Sequence, residues 1–249
     1  MRTVRLARAL SKLGYCSRSQ AQNLIRSGRV QVNGTVKRDP EASVFLGRDR
    51  IEVDGSLVRP EAKVYLILNK PRGLVTTASD EKGRPTVYSS LGHDLPWVAP
   101  VGRLDKASEG VLLLTNDSQW AARVLAPETH LPKTYHVQVS GVRNIDLVDG
   151  LVKGLRVSNG DFLRVKDARV LRQGNRNTWL AIALDEGKNR HIRRMLEQLG
   201  IEVLRLVRVA IGPLTLGDLA KGASRPLTAK AKSAIDAAMR RSAPSIEII

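Results

Sequence analysis

The sequence is poor in cysteine and in aromatic residues, and both shortages exclude classes of protein. Cys16 is the only cysteine in 249 residues, so the chain forms neither an internal disulfide nor a multi-cysteine zinc site. A chain without disulfides is typical of a reducing compartment, and we expect the cytoplasm. Nine aromatic side chains are too few for a surface that stacks successive bases, which disfavours single-strand binding on an aromatic platform.

Several longer patterns are also missing. No apolar run approaches the roughly 18 residues that a membrane span requires, and the Arg-rich first residues lack the apolar core of a secretory signal. Neither GxxxxGKS/T nor GxGxxG occurs, so nothing indicates ATP or a dinucleotide. The four histidines are widely separated and there is no HExxH or GxSxG motif. We therefore expect no bound metal, no serine-hydrolase chemistry and no small-molecule cofactor.

Positive charge is what the sequence has in excess. Forty-one Lys and Arg oppose 24 Asp and Glu, which gives a net charge of +17. Because Lys and Arg displace counterions from phosphates, this excess favours a nucleic-acid partner over a role in solubility alone. Residues 1–38 contain nine of the basic side chains and no acidic one. From this stretch we expect six contacts to nucleic acid: Arg5, Arg8, Lys12, Arg18, Arg26 and Arg29.

The first 60 residues predict two helices followed by a hairpin. Apolar residues at positions 6, 9, 10 and 13 recur at helical spacing, and Gly14 is a helix stop. Ser17 and Gln20 form a capping box for the second helix. An Asn33-Gly34 pair between short alternating runs predicts a hairpin turn. This stretch, especially SRSQAQNLIRSGRVQVNG, resembles the small alpha-L RNA-binding domain, whose second helix and hairpin lie against folded RNA; the alternative is a generic basic helical module.

Beyond a polar break at residues 59–63, apolar β-rich runs alternate with single helices. The strand-like runs cover 64–71, 110–117, 134–141 and 178–187, and the helical patterns cover 118–126, 190–200 and 228–242. This arrangement predicts an α+β domain on a mixed, mainly antiparallel β-sheet. We therefore expect a domain at residues 1–60 and a second, larger one at residues 64–243.

One polar segment of the second domain is a candidate for chemistry because of its loop. Residues 101–117 hold Arg103, Asp105 and Ser108 between two glycines, directly before a buried strand. A rigid strand behind such a loop would fix one carboxylate in a cleft. The alternative is that Asp105 or Ser108 only caps a turn.

Two further segments are candidates for binding. Lys188, Arg190, Arg193 and Arg194 crowd the start of a predicted helix, where their charge opposes the helix dipole. Such crowding makes sense beside phosphates or a carboxylate, and the alternative is a solvated charged face. Tyr135 lies on one face of the strand at 132–139 and would be, on that ground alone, a core tyrosine.

These segments, in order, resemble one family. GRLDKASEGVLLLTND, KTYHVQV and EGKNRHIRRMLEQLGIEVLRLVRVAIGPL are similar to the signature blocks of bacterial ribosomal RNA pseudouridine synthases, in the branch with an N-terminal alpha-L domain. The resemblance extends from Arg5 to about Leu227. It implies a catalytic domain of the pseudouridine synthase fold and site-specific isomerisation of uridine in ribosomal RNA, by a monomer that needs no cofactor and no membrane. Overall similarity favours large-subunit over small-subunit rRNA.

The resemblance also assigns roles to single residues. Asp105 matches the essential aspartate, Tyr135 the tyrosine that stacks on the target base, Arg193 the basic partner of the carboxylate, and Leu206 an apolar residue of the pocket. Further RNA contacts are expected from Arg103, Lys133, Lys188, Arg190 and Arg194. Two rival functions stay open. A non-enzymatic ribosome-assembly factor would need only the first 60 residues, and a metal-free nuclease would need a clustered His pair.

Overall fold

The fold is seen in a computed structural model that describes residues 3–78, 80–92, 94–141 and 146–241. Its first part packs two helices against short strands that form a four-stranded sheet, in the order β3-β2-β5-β6, and a separate β1-β4 pair. The elements are β1 (Val4–Arg5), α1 (Leu6–Lys12), α2 (Arg18–Arg26), β2 (Val30–Val32), β3 (Thr35–Lys37), β4 (Ser43–Val44), β5 (Ile51–Val53) and β6 (Ser56–Leu57).

Local sequence signals explain this part. The Ser17 hydroxyl accepts a hydrogen bond from the Gln20 backbone N–H, and the Gln20 side chain accepts one from the Ser17 N–H, which confirms the capping box. Asn33 and Gly34 both have positive φ, at 51° and 79°, as a two-residue hairpin turn requires. The apolar faces of the helices and of β2 and β5 form one core cluster, which ends at Val58.

The second part is built on a nine-stranded sheet whose main order is β13-β14-β10-β15-β9-β7-β17, with β16 beside β15 and β8 beside β9. Its strands are β7 (Tyr65–Lys70), β8 (Ala99–Val101), β9 (Glu109–Thr115), β10 (Lys133–Ser140), β13 (Asp167–Gln173), β14 (Asn177–Leu184), β15 (Val203–Ile211), β16 (Leu214–Thr215) and β17 (Ser224–Pro226). A small β11-β12 pair (Leu155–Arg156 and Phe162–Leu163) lies apart.

Helices and loops cover the sheet unequally. The helices of the second part are α3 (Ser118–Leu125), α4 (Asp146–Lys153), α5 (His191–Gln198) and α6 (Ala229–Arg241), with 3-10 turns at Val87–Ser90 and Pro127–Thr129. α3 and α6 share a core cluster with Ile67 and Leu113, whereas Leu112 and Leu114 belong to another cluster. Strand β9 is buried on both faces, which explains its unbroken apolar run.

The two halves of the sheet meet where β9 runs parallel to β15. This pairing involves only Glu109 with Val207 and Gly110 with Arg208. Gly110 has a φ of 103°, and a Cβ placed on it would lie 2.1 Å from the Arg208 carbonyl oxygen. A glycine is therefore required for the two strands to approach each other.

The mixed, mainly antiparallel sheet confirms the predicted α+β class. The predicted helices appear as α1, α2, α3, α5 and α6. The longest elements that were not expected are α4, β13 and the nine-residue β15. Among the helices of the described ranges, none is both long and apolar enough to cross a membrane.

Candidate active site

Asp105 lies on the loop between β8 and β9, and this loop is firmly anchored. Leu104 is buried, its backbone N–H donates to the Thr76 hydroxyl, and the same hydroxyl donates to the Leu104 carbonyl oxygen at 2.7 Å. The neighbouring Asp105 side chain is exposed. Within the described residues no hydrogen bond uses its carboxylate, so Asp105 does not cap a turn there. The loop holds a free carboxylate on a fixed backbone.

Lys70 supports this loop from below and was not predicted as a site residue. Its fully buried ammonium, at the end of β7, donates to the backbone oxygens of Asp105 at 3.1 Å and Ser108 at 2.8 Å. Burial lowers the pKa of Lys70 to about 8, although the charges of Asp105 and Glu109 favour the protonated form. The available sequence signal was a lysine that ends an apolar strand, which also suits a solvent-facing strand end.

The second carboxylate near the loop, Glu109, is fully committed to ion pairs. It lies 2.8 Å from Arg205 and 2.8 Å from Lys221, and its side chain is buried. Hydrogen bonds from Arg205 and Lys221 lower its pKa to about 2, against the effect of burial. Asp105 is therefore the carboxylate of this segment that is free to react.

The four residues assigned to the active site line one cavity of about 570 Å³. Asp105 comes from the β8–β9 loop, Tyr135 from β10, Arg193 from α5 and Leu206 from β15. Tyr135 is partly buried and packs against two core clusters, so it is a core residue and a cavity residue at once. Leu206 is buried opposite Val137, on the strand beside Tyr135.

Arg193 connects α5 to the loop between β8 and β9. Its Nη2 donates to the Ala107 carbonyl oxygen at 3.2 Å, and its buried Nε has no hydrogen-bond partner in the described part of the chain. Burial lowers the pKa of Arg193, while the nearby Asp105 charge opposes that shift. No ion pair within 4.0 Å joins it to Asp105 among the described residues, so the predicted pairing stays a prediction.

The other cations expected to bind RNA at the cavity differ in their surroundings. Arg194 pairs with Asp161 at 2.7 Å and hydrogen-bonds Asn159, and Lys188 lies 3.5 Å from Glu186. Arg103 and Arg190 are exposed on the cavity lining. Lys133 is partly buried on the same lining.

The N-terminal cations divide in the same way. Arg5 has Glu41 as an ion-pair partner, and Arg29 binds both carboxylate oxygens of Asp54. The ion pairs found among the described residues include none of the remaining four, of which all but the half-buried Lys12 are exposed: Arg8, Lys12, Arg18 and Arg26. These four are available to a polyanion without breaking an internal contact.

A metal centre finds no support in the described ranges, which contain no group of three or more His, Cys, Asp or Glu suited to hold an ion. His93, one of the four histidines considered above, lies outside the described residues. Cys16 is buried, and burial raises its pKa to about 11, which keeps the thiol protonated.

An α+β domain with one free carboxylate in a cation-lined cavity, preceded by a basic helical domain, is the build of an RNA-modifying enzyme. A family model for RNA pseudouridylate synthase matches residues 64–198, and one for the S4 domain matches residues 4–44. The chain belongs to the RNA pseudouridylate synthase family and has an S4 domain at its N-terminus. The predicted family and the predicted N-terminal RNA-binding domain are confirmed.

Similar proteins agree with this membership. The chain is 41% identical over 229 residues to a protein of Aquifex aeolicus described as an RNA pseudouridine synthase, over 91% of each chain. It is 36% identical over 225 residues to ribosomal large subunit pseudouridine synthase B of Bacillus subtilis, over 90% of this chain and 92% of that one. A solved structure described as a pseudouridylate synthase matches 94% of this chain and 99% of its own, with a TM-score of 0.65 and 29% identity.

Proposed function

We propose that this chain isomerises uridine to pseudouridine at a specific site in ribosomal RNA, with Asp105 as the catalytic carboxylate. The observation that carries the proposal is the shared cavity, because Asp105, Tyr135, Arg193 and Leu206 come from four separate elements and line the same space. The reaction breaks the bond between base and ribose, rotates the base and reattaches it through a ring carbon. These redox-neutral reaction steps need a nucleophile or a base that is held beside the flipped nucleotide.

Asp105 suits that role because its backbone is held and its carboxylate is free. Lys70 and Thr76 fix the loop, so little reorganisation is needed when a substrate enters. Arg193 is close enough for the two charges to interact, and it would help to orient the Asp105 carboxylate. Asp105 acts as a nucleophile on the sugar or the ring, or as a base towards a sugar proton.

The target base has to leave its stack to reach this carboxylate, which costs a few kcal/mol. Tyr135 offers an aromatic face on the cavity wall and would recover part of that cost by stacking on the base. Leu206, buried on the neighbouring strand, would contribute an apolar wall. Base flipping followed by stacking accounts for the one tyrosine in the cavity lining.

The N-terminal region would supply affinity for RNA. We assign residues 1–60 to an RNA-binding domain and residues 64–243 to the catalytic domain, supported by the separate core of the first region. Large-subunit rRNA is the favoured substrate, in line with the name of the Bacillus subtilis relative. The proposal includes a monomer that acts in the cytoplasm during ribosome biogenesis.

The test is a modification assay on unmodified transcripts of large- and small-subunit rRNA. Purified protein is incubated with each transcript and the pseudouridines are mapped, with Asp105→Asn as the inactive control. We expect one or a few sites in large-subunit rRNA, absent with the control variant. Tight binding without any isomerisation would instead favour the ribosome-assembly factor.

A further inference from the structure

Arg208, on β15, is a buried cation without an acidic partner. Its side chain is only 5% exposed, and its Nε donates to the Val111 carbonyl oxygen at 2.7 Å. Its Nη2 is buried and has no hydrogen-bond partner among the described residues. A buried guanidinium nitrogen without a partner is costly, and a bound anion is one arrangement that would satisfy it.

Lys133, on β10, is a second cation in the same place. It lies two residues before Tyr135, so both side chains project from the same face of the strand, with Cα atoms about 6–7 Å apart. Lys133 and Arg208 line the same cavity, and burial and the Arg208 charge lower the pKa of Lys133 while the Asp185 charge opposes them. No ion pair within the described ranges includes Lys133.

Apart from Asp105, the acidic residues around the cavity are paired with other cations. Asp185 lies 2.9 Å from Lys166, and Glu186 lies 3.5 Å from Lys188. Glu109, below the loop, is shared by two other cations. The inner wall of the cavity therefore has two neighbouring cations that form no ion pair with a carboxylate of the described residues, although the Asp185 charge acts on Lys133.

The position of this pair relative to Tyr135 indicates which anion it would receive. Arg208 lies directly opposite Tyr135 on the adjacent strand, and Lys133 lies two residues before Tyr135 on β10. Both line the cavity that contains Asp105. A base stacked on Tyr135 would bring its own backbone phosphates next to the two cations.

We propose that Arg208 and Lys133 form a binding site for a phosphodiester group adjoining the target uridine. This site rests on the proposed function, because it requires RNA in the cavity. The fixed Arg208 side chain would hold the phosphate, and through it the ribose, at a constant position relative to Asp105. Arg208 is a positioning residue here and takes no part in bond breaking.

A binding experiment tests the site without any need for turnover. Uridine and its 3′- and 5′-monophosphates are titrated into the full-length protein and followed by NMR. We expect the wild-type protein to bind one monophosphate at least about ten-fold more tightly than uridine, since hydrogen bonds to charged groups have that strength. Arg208→Gln and Lys133→Gln should each reduce this preference to about two-fold or less.

Arg169→Gln is the matched control, because Arg169 is an exposed arginine on β13 and is absent from the cavity lining. It removes one positive charge and should leave the preference for the monophosphate unchanged. Equal affinity of the wild-type protein for uridine and both monophosphates would overturn the site, and so would a preference that survives in Lys133→Gln. Lys133→Gln decides the matter if Arg208→Gln does not fold.

A second experiment uses an rRNA fragment with a neutral methylphosphonate at one linkage beside the modified uridine. The neutral linkage should slow the wild-type enzyme about ten-fold or more at one position, and Arg208→Gln should show no additional loss with that fragment. Additive losses would contradict the assignment. A wild-type protein that binds the monophosphates but forms no pseudouridine refutes the proposed function and retains the anion site.

Discussion

The N-terminal region and the cavity use positive charge in opposite ways. Arg8, Arg18 and Arg26 are exposed and lie in solvent, where salt screens them. Arg208 and Lys133 lie on the wall of a cavity, at fixed positions beside a tyrosine. Exposed cations give attraction to any polyanion, and buried ones give a defined geometry to one bound group. Under the proposed function, the exposed cations would bring RNA to the enzyme and the cavity cations would orient one nucleotide.

The largest expected effect is at Asp105. Asp105→Asn removes the free carboxylate and should reduce pseudouridine formation by about a thousand-fold or more, with RNA affinity within a few-fold of wild type. The assay is single-turnover modification of rRNA at saturating enzyme. Asp167→Asn, which changes an exposed carboxylate on β13, is the control. A folded Asp105→Asn protein with a tenth of wild-type activity would rule out the assignment.

The next largest effect is at Arg193, whose side chain is partly buried and therefore intermediate between the exposed N-terminal arginines and the buried Arg208. Arg193→Met should lower the single-turnover rate about a hundred-fold, because it removes both the charge near Asp105 and the bond to Ala107. Arg190→Met and Arg194→Met should act mainly on affinity. Similar losses in rate at all three positions would show a diffuse RNA surface rather than a specific role for Arg193.

Removal of residues 1–60 should separate affinity from turnover. The truncated protein should bind rRNA more weakly and with a flatter salt dependence, because each lost phosphate contact lowers the slope by roughly 0.7–0.9. The rate at saturating RNA should change much less, since Asp105, Tyr135 and Arg193 remain. Binding constants over a salt series, together with single-turnover rates, measure both effects. An unchanged salt slope would contradict an RNA-binding role, and a collapsed saturated rate would show that this region shapes the active site.

The smallest effect concerns two ion pairs, one in each region. The folded pKa of Glu109 is lowered from 4.5 to about 2, so its contribution is complete above pH 4.5 and is lost as the pH falls towards 2. Glu109→Gln should cost about 2 kcal/mol of unfolding free energy at pH 7, after allowance for its half-exposed partners, and much less at pH 2. Asp54→Asn, at a pair in which both side chains are about half exposed, should hardly change the pH profile of urea unfolding. Equal pH profiles for both variants would contradict this difference in burial.

The features of the fold and of the site that could be predicted from the sequence are those with a local signal. The capping box at Ser17, the turn at Asn33-Gly34 and the loop that holds Asp105 each depend on residues close together in the sequence. They follow from hydrogen-bonding and backbone preferences that operate within a few residues. The resemblance then supplied roles for Tyr135, Arg193 and Leu206, which spacing alone does not reveal.

The residues that escaped prediction depend on distant contacts. Lys70 gains its meaning only when the loop at residues 105–108 folds over the end of β7. Strand β15 has arginines among its apolar residues, so its sequence does not show that Arg208 is buried against β9. Sequence periodicity reports which faces are apolar, and it does not report which cation is enclosed by another strand.

The contact at Gly110 makes the spacing of the active site depend on a single backbone position. Asp105 belongs to the half of the sheet that contains β9, whereas Tyr135 and Leu206 belong to the half that contains β15. The parallel pairing between the halves consists of two residue pairs, with Gly110 against the Arg208 backbone. Even one methyl group at Gly110 would clash with the Arg208 backbone and force the two halves apart. The gap between carboxylate and tyrosine would then widen although every catalytic side chain is intact.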